Sequence, residues 1–175
     1  MSITVELSEA TGPRSERADL LAFLRAQRRS VHAIVEGLDE DAMRQVAAPS
    51  GWTPLGLIEH LAHAERFWFQ QVVAGQTKPL PGPPERDDFH LAFVSSRAPN
   101  EVLAFYLDQC HRSDTVFAAT SLSSRPAGNV PASMTDEIRS VRAVVLHMIE
   151  ETARHAGHLD IAREQFDGRT GLGPR

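Results

Sequence analysis

Three side chains that can bind a metal recur at intervals of four near the C-terminus: His147, Glu151 and His155. Residues four apart on a helix lie on one face, with Cβ atoms about 5–6 Å apart. The row of this helix that should face a core contains the following residues: Val144, Met148, Glu151, His155, His158 and Ala162. Because a buried charge without a partner is costly, such a row requires protons, counter-charges or a metal.

A further histidine, His60, falls on the inward row of an earlier helix. Thr53-Pro54 is a helix start signal, with threonine as N-cap and proline at the first helical position. This helix is predicted to stop at Gly75. Its inward row is predicted to contain Leu57, His60 or Leu61, Ala64, Phe67 or Trp68, and Val72. A polar row contains Glu59, His63, Arg66 and Gln70. Periodicity therefore predicts that His60 lies inside and His63 outside.

His60, Glu151 and His155 together form a candidate ligand set for a divalent metal. Two imidazoles and a carboxylate can hold Zn²⁺ and leave at least one position for water or substrate. The same set suits the facial triad of Fe²⁺. Glu and His four apart also occur on many solvated helices, but the inward position of both residues, together with His60, favours a metal. His147 lies one turn before Glu151 and is predicted to support a ligand or line the core edge.

The remaining reactive side chains have simpler interpretations. Cys110 falls on an inward row, where a thiol is more often a small apolar residue than a nucleophile. Arg154 and Arg163 could guide an anionic substrate, although ion pairing on the helix surface explains them equally well. Four histidines are expected on the surface or in packing contacts: His32, His63, His90 and His111. Four aromatic residues are expected in the core or in a dimer contact: Trp52, Phe67, Trp68 and Phe69.

Four helical patterns position these residues. The helices are predicted over residues 15–37, 53–74 and 100–120, with a last helix that begins between 135 and 140 and ends near 166. Prolines break every helical register between residues 75 and 99, and a segment of this length is long for a compact domain. A four-helix bundle uses such a segment as a crossover that joins helices two and three without a tight antiparallel turn.

The bundle is predicted to occupy residues 15–168 as one all-α domain. Residues 1–14 are predicted to form a loose arm, although the alternation of Ile3, Val5 and Leu7 also permits a short strand. Residues 169–175 are predicted to form a tail. A chain of 175 residues is long enough for one domain with a real core and short for two.

Composition excludes several classes of partner. The formal net charge is −5 and the chain has no Lys/Arg block, which argues against nucleic acid. No apolar run approaches the ~18–20 residues of a membrane span, and the acidic N-terminal residues contain no apolar signal segment. The single cysteine, Cys110, cannot form an internal disulfide, which fits a reducing cytoplasm. We therefore expect a cytoplasmic protein without nucleic-acid or membrane partners.

Three stretches of the sequence resemble a known family. Residues 50–62, S-G-W-T-P-L-G-L-I-E-H-L-A, and 65–69, E-R-F-W-F, are similar to the second-helix signature of the DinB/YfiT-like superfamily, in particular its mini-circle protein branch. Residues 147–160, followed by Arg163-Glu164 and Asp167-Gly168, resemble the C-terminal signature of that branch. Residues 21–28, L-A-F-L-R-A-Q-R, resemble its first helix. The resemblance covers about residues 16–171.

The resemblance implies a four-helix bundle with a long crossover between helices two and three. It also implies a metal site with one histidine from the second helix and two residues four apart from the last, which match His60, Glu151 and His155. Most relatives have histidine at the position of Glu151, whereas the mycothiol-dependent maleylpyruvate isomerase branch is similar in using glutamate. Many relatives carry glutamine at the position of His158, which suggests that His158 orients a ligand or water.

Enzymes of the superfamily use the metal to hold a low-molecular-weight thiol as thiolate, for isomerisation or S-transfer. The resemblance therefore implies a transferase or isomerase with a mycothiol- or bacillithiol-like thiol, a small-molecule substrate and Zn, Ni or Fe as the metal. A homodimer is also expected. One alternative is a metal-activated hydrolase in which Glu151 or His158 assists a bound hydroxide. Another is a non-catalytic binding bundle whose metal is closed by a fourth ligand, either His147 or His158.

Overall fold

The first long helix begins at a side-chain cap. In the computed structural model, which describes residues 15–77, 80 and 93–170, α1 spans Glu16–Val35. The Ser15 hydroxyl accepts a hydrogen bond from the backbone N–H of Ala18, which satisfies one of the free donors at the helix start. A short helix, α2, follows at Glu40–Arg44. The sequence predicted a connector without a helix here, because five residues are too few to show a periodic pattern.

The second predicted helix begins where Thr53 and Pro54 indicate, and it changes its winding halfway. α3 spans Pro54–Glu65 and continues directly into a π-helix at Arg66–Val73. At its end, the N–H of Ala74 donates to the carbonyl of Phe69 five residues earlier, at 3.0 Å. Glu59, Arg66 and Gln70 of the polar row are all buried. A polar row in the sequence therefore did not mark an exposed face of this helix.

The third predicted helix, α4, spans Pro99–Ala119. It starts one residue earlier than predicted, because Pro99 occupies the first helical position and Ala98 is the N-cap. Of two adjacent residues in its middle, Tyr106 is buried and Leu107 is 52% exposed. The predicted loop before the last helix contains a short 3₁₀ turn at Ala132–Met134.

The last helix, α5, spans Val141–Asp167. Ser140 caps its start, and Gly168, with φ of +74°, ends it in a left-handed conformation that glycine adopts without strain. The apolar members of its predicted inward row, Val144, Met148 and Ala162, are buried. This long helix carries two of the three predicted ligands.

Two apolar clusters lie at opposite ends of the bundle. The first cluster contains Val31, Ile58, Tyr106 and Leu159, and the second contains Leu24, Phe69, Phe117 and Val144. Going along the chain, α1 and α5 run from the second cluster to the first, and they pack on each other. α3 with its π-helix and α4 run the opposite way, and they also pack on each other. Since α3 and α4 are parallel neighbours, a tight turn cannot join them, so a long crossover is required.

A layer of buried polar side chains separates the two clusters. The Arg28 guanidinium donates to both carboxylate oxygens of Glu65, at 2.7 and 2.6 Å, and to Asp114 at 2.6 Å. Gln70 donates to the side-chain oxygen of Gln109 at 2.7 Å. α1, α3 with its π-helix, and α4 each contribute to this layer, which therefore fixes the relative heights of these helices in the bundle.

The all-α class is confirmed for the described ranges. None of the helices in these ranges combines the length and apolar character needed to cross a membrane. The predicted arm at 1–14, residues 78–79 and 81–92 of the crossover, His90 and the tail from 171 onwards lie outside the described residues. The domain boundaries, the homodimer and the cytoplasmic location stay predictions.

Candidate metal centre

The structure brings His60, Glu151 and His155 together between α3 and α5. Glu151 Oε1 lies 3.0 Å from Nε2 of His60 and 3.0 Å from Nε2 of His155. One ligand atom from each residue lies within 4.8 Å of the others, so this group could bind a metal ion. His60 comes from the middle of α3, and the other two residues lie one turn apart on α5. We call these three residues the trio.

Hydrogen bonds set the charge of the trio. Those donated by His155 and His60, in that order of importance, hold the pKa of the Glu151 carboxyl well below its usual range, although partial burial opposes them. Glu151 is therefore an ionised acceptor, and both histidines carry a proton on Nε2. Two imidazoles and one carboxylate are thus aimed at the same small volume.

Aromatic rings surround the trio. Phe93 stacks on the His60 ring, with centroids 4.1 Å apart and planes 20° from parallel. The rings of Phe93 and His155 form a T-shaped pair, with centroids 6.0 Å apart. His155 is 8% exposed, and His60 and Glu151 are partly buried. Phe93 follows directly on the part of the crossover that lies outside the described residues. Sequence reasoning missed it, because a segment without periodicity gives no sign of which side chain returns to the site.

His158 lies beside the trio but outside it. Its Nδ1 is 3.4 Å from Nδ1 of His155, and its ring is 6.0 Å from that of Trp52. Burial, and then the neighbouring His155, lower the pKa of His158, so its ring is neutral at pH 7. Because the contact is made to the nitrogen of His155 that faces away from Glu151, His158 is placed to influence which nitrogen of His155 carries the proton.

His147 also lies outside the trio. Its ring contacts Trp68 edge-on, with centroids 4.6 Å apart. Burial lowers its pKa, against the opposing charge of Glu151, so this imidazole is neutral as well. Trp68 belongs to the π-helix and lines the second apolar cluster. His147 therefore sits at the core edge, one of the two positions that its spacing predicted.

His63, the other histidine of α3, points away from the trio. Its Nδ1 accepts a hydrogen bond from Arg66 at 3.0 Å, and its ring contacts Phe105. Burial and the adjacent Arg66 charge lower the pKa of His63 to about 4. The prediction that His60 and not His63 faces Glu151 agrees with this geometry, but His63 is half-buried rather than solvated.

The other reactive residues have structural partners. Burial, and then the Glu65 charge, raise the pKa of the Cys110 thiol, so Cys110 is not a thiolate at neutral pH. Arg163 donates to the carbonyls of Ile34 and Glu36 at the end of α1, and Arg154 pairs with Glu150. His32 and His111 are exposed, as expected.

The sequence was compared with models of protein families and with curated proteins. A family model described as MST: Mycothiol-S-transferase matches residues 19–168, a range that contains every residue of the trio. A comparison with curated proteins gives no match.

Proposed function

The chain belongs to the mycothiol-S-transferase family, and on this basis we propose that it joins mycothiol, or a related low-molecular-weight thiol, through its sulfur to a small electrophile. The family is of the DinB/YfiT-like type that the resemblance in the sequence indicated. The reaction is proposed to take place at a divalent metal, Zn, Ni or Fe, bound by His60, Glu151 and His155.

The observation that carries this proposal is the convergence of two ring nitrogens on one carboxylate oxygen, at 3.0 Å each. Two histidines and a glutamate are also the protein ligands of a recurrent class of catalytic zinc site. His60 and Glu151 are 91 residues apart in the chain, so the meeting point exists only when α3 and α5 are packed together.

The charge of the trio also fits a cation. With Glu151 ionised, the group contains a negative charge in a partly buried position. A divalent cation would compensate that charge and would take the place of the two Nε2 protons. Each ring proton would then occupy Nδ1, and on His155 that atom faces His158.

A metal bound here would lower the pKa of a coordinated thiol, so that the sulfur is a thiolate at neutral pH. The residues of the chain supply the rest. With a metal on Nε2 of His155, His158 would accept a hydrogen bond from Nδ1 of His155 and so hold that ring in its ligating orientation. Phe93 covers one face of His60 and keeps bulk water from it.

The chemical balance of the transfer is simple. The thiol loses its proton to solvent, and the electron pair of the sulfur forms a bond to the electrophilic carbon. The leaving group departs with the electron pair of the bond that breaks. No oxidant or reductant is consumed, so the thiol and the electrophile are the only reactants.

An open position distinguishes a transferase from a structural metal site, which is closed by four protein ligands. Across residues 15–77, 80 and 93–170, the trio has no fourth His, Cys, Asp or Glu within its mutual 4.8 Å. His147 contacts Trp68, and His158 contacts the far nitrogen of His155. The geometry therefore favours a site that keeps room for a thiol over a closed one.

Two measurements test this proposal. Elemental analysis of protein produced without a polyhistidine tag should give about one divalent metal per chain, because the trio can hold one. Mass spectrometry should then detect the thioether formed from mycothiol and an alkyl halide, and His60→Ala should abolish its enzymatic formation. Metal content near zero after incubation with Zn²⁺, Ni²⁺ and Fe²⁺ would contradict the metal site. Turnover of the electrophile without thiol would instead indicate a hydrolase.

A further inference from the structure

The segment that returns from the crossover is held against the start of α3. We call residues 93–97 the return strap. The carbonyl of Phe93 accepts a hydrogen bond from the backbone N–H of Thr53 at 2.9 Å. Arg44 of α2 donates to the carbonyls of Ser95 and Arg97, at 2.9 and 2.8 Å. Three backbone carbonyls of the strap are thus tied to two different elements.

Gly56 makes this close approach possible. A Cβ at this position would lie 2.1 Å from the carbonyl oxygen of Phe93 and 2.4 Å from the backbone nitrogen of Val94. Cβ atoms essentially never come closer than 3.0 Å to such atoms. The backbone atoms of the strap cannot yield as the end of a flexible side chain could. Any residue other than glycine must therefore push the return strap away from α3.

The position of the strap fixes the position of Phe93, and Phe93 contacts both histidines of the trio. The Phe93 ring lies flat on the ring of His60. His60 follows Gly56 by one turn on α3. An imidazole that is packed on one face and hydrogen-bonded at Nε2 has little freedom to rotate about its side-chain bonds. Without the Phe93 ring, His60 loses its stacked contact and keeps the edge contact with His155 and the hydrogen bond to Glu151, which a metal would replace.

We infer that Gly56 is a positioning residue of the metal centre, acting through Phe93 to hold the His60 ring in the orientation that binds metal. This inference rests on the proposed metal site and adds two residues that do not themselves bind the metal. It also assigns a role to the end of the crossover, since the return strap forms one wall of the site. Preorganised ligand rings are what distinguish a tight site from a loose one.

The test compares the Zn²⁺ affinity of Gly56→Ala with that of a matched variant, Gly157→Ala. Gly157 lies on α5, two residues after His155, and a Cβ there meets nothing within 4 Å. Competition with a chromophoric chelator should show that Gly56→Ala binds Zn²⁺ about 10–100-fold more weakly than the parent, as when an outer support of a ligand is lost. Gly157→Ala should bind as the parent does.

A second pair of variants keeps the inference testable if Gly56→Ala does not fold. Phe93→Ala should weaken Zn²⁺ binding to a similar extent, whereas Phe93→Tyr, which keeps the ring, should restore it. Unfolding temperatures measured with a chelator present separate the two possible roles. A purely structural role would lower the unfolding temperature and leave the Zn²⁺ affinity of the folded protein unchanged.

The outcomes separate this inference from the proposal on which it rests. If the parent binds Zn²⁺, His60→Ala does not, and both Gly56→Ala and Phe93→Ala bind as the parent does, the positioning role is wrong and the metal site stands. If the parent binds no Zn²⁺ at all, the proposed metal site and the positioning role are both wrong.

Discussion

The Nδ1 atoms of His155 and His158 lie 3.4 Å apart, one turn apart on α5. A hydrogen bond between two ring nitrogens needs one nitrogen that carries a proton and one that accepts it. Without metal, His155 donates from Nε2 to Glu151, and its Nδ1, where it carries no proton, accepts from His158. With a metal on Nε2, the proton of His155 would move to Nδ1 and the direction of this hydrogen bond would reverse.

This relationship predicts the effect of replacing His158. His158→Gln retains a hydrogen-bond acceptor and should keep Zn²⁺ affinity near that of the parent. His158→Leu has none and should lose about 10-fold or more, because the outer partner of a ligating histidine contributes that much to affinity. Chelator competition measures both. Equal affinity of the two variants would show that His158 does not support His155.

Replacing Glu151 tests whether it is a ligand. Glu151→His should retain Zn²⁺ binding, because three histidines form a known zinc ligand set. Glu151→Gln should lose much of the affinity, since a neutral amide is a poor ligand and leaves the charge of the cation uncompensated. Isothermal titration with Zn²⁺ compares them. If Glu151→Gln bound as tightly as the parent while Glu151→His did not, Glu151 would act only as a base near the metal.

The two histidines of α3 form a natural pair of variants. His60→Ala should reduce Zn²⁺ affinity by more than the ~10–100-fold typical of losing an outer partner, because it removes a ligand itself. His63→Ala should leave the affinity unchanged, since His63 bonds to Arg66 and faces Phe105. A larger loss for His63→Ala would mean that α3 is rotated relative to this structure.

The buried pair of Arg28 and Glu65 should dominate the stability of the polar layer. Arg28→Leu leaves the Glu65 carboxylate buried without its charged partner and should lower the free energy of unfolding by about 3–5 kcal/mol. The exposed pair Arg112–Asp108 is a matched control, and Arg112→Leu should cost less than about 1 kcal/mol. Urea denaturation with a chelator present compares them. Similar losses would show that burial does not strengthen the first pair.

His63 should make the protein less stable in mild acid. Its pKa is about 4 when folded, below the ordinary value of 6.5, so the unfolded chain binds more protons between these two values. Stability from this residue is therefore fully present above pH 6.5 and is lost as the pH falls towards 4. In His63→Gln the free energy of unfolding should decline less over this range. Parallel curves for both proteins would contradict the shifted pKa.

The starts of the helices and the position of the crossover could be predicted from local signals in the sequence. Ser15, Thr53 and Ser140 cap three helices, and each offers a short polar side chain just before an apolar periodic run. The crossover could be predicted because its prolines exclude a helix. The trio could be predicted because titratable residues on apolar rows are unusual, and His60 on one helix and Glu151 and His155 on another share this property. The family resemblance then matched the same three residues to one metal site.

Three other features could not be predicted from the periodic pattern of the sequence. The π-helix changes the number of residues per turn, so the α-helical spacing used beyond Glu65 assigned Arg66 and Gln70 to the wrong environment. Adjacent residues of a helix differ by about 100° in direction, which left Phe67 and Trp68 as alternatives for one inward position; Trp68 is the buried one. Phe93 reaches the site through a close backbone approach at Gly56, a tertiary contact that no periodic pattern records.

The polar layer between the two apolar clusters also bears on how the molecule fluctuates. Proteins unfold locally in cooperative units, each of which opens as a whole. A layer of hydrogen-bonded polar side chains within a core can form the boundary between two such units. The end of the bundle around Ile58 and Leu159 can then open while the end around Phe69 and Val144 stays closed. On α5, Glu151 lies between Met148 of the second cluster and Ala156 of the first. Because the trio also joins α5 to α3, a ligand bound there would couple the two units and slow amide exchange on both sides.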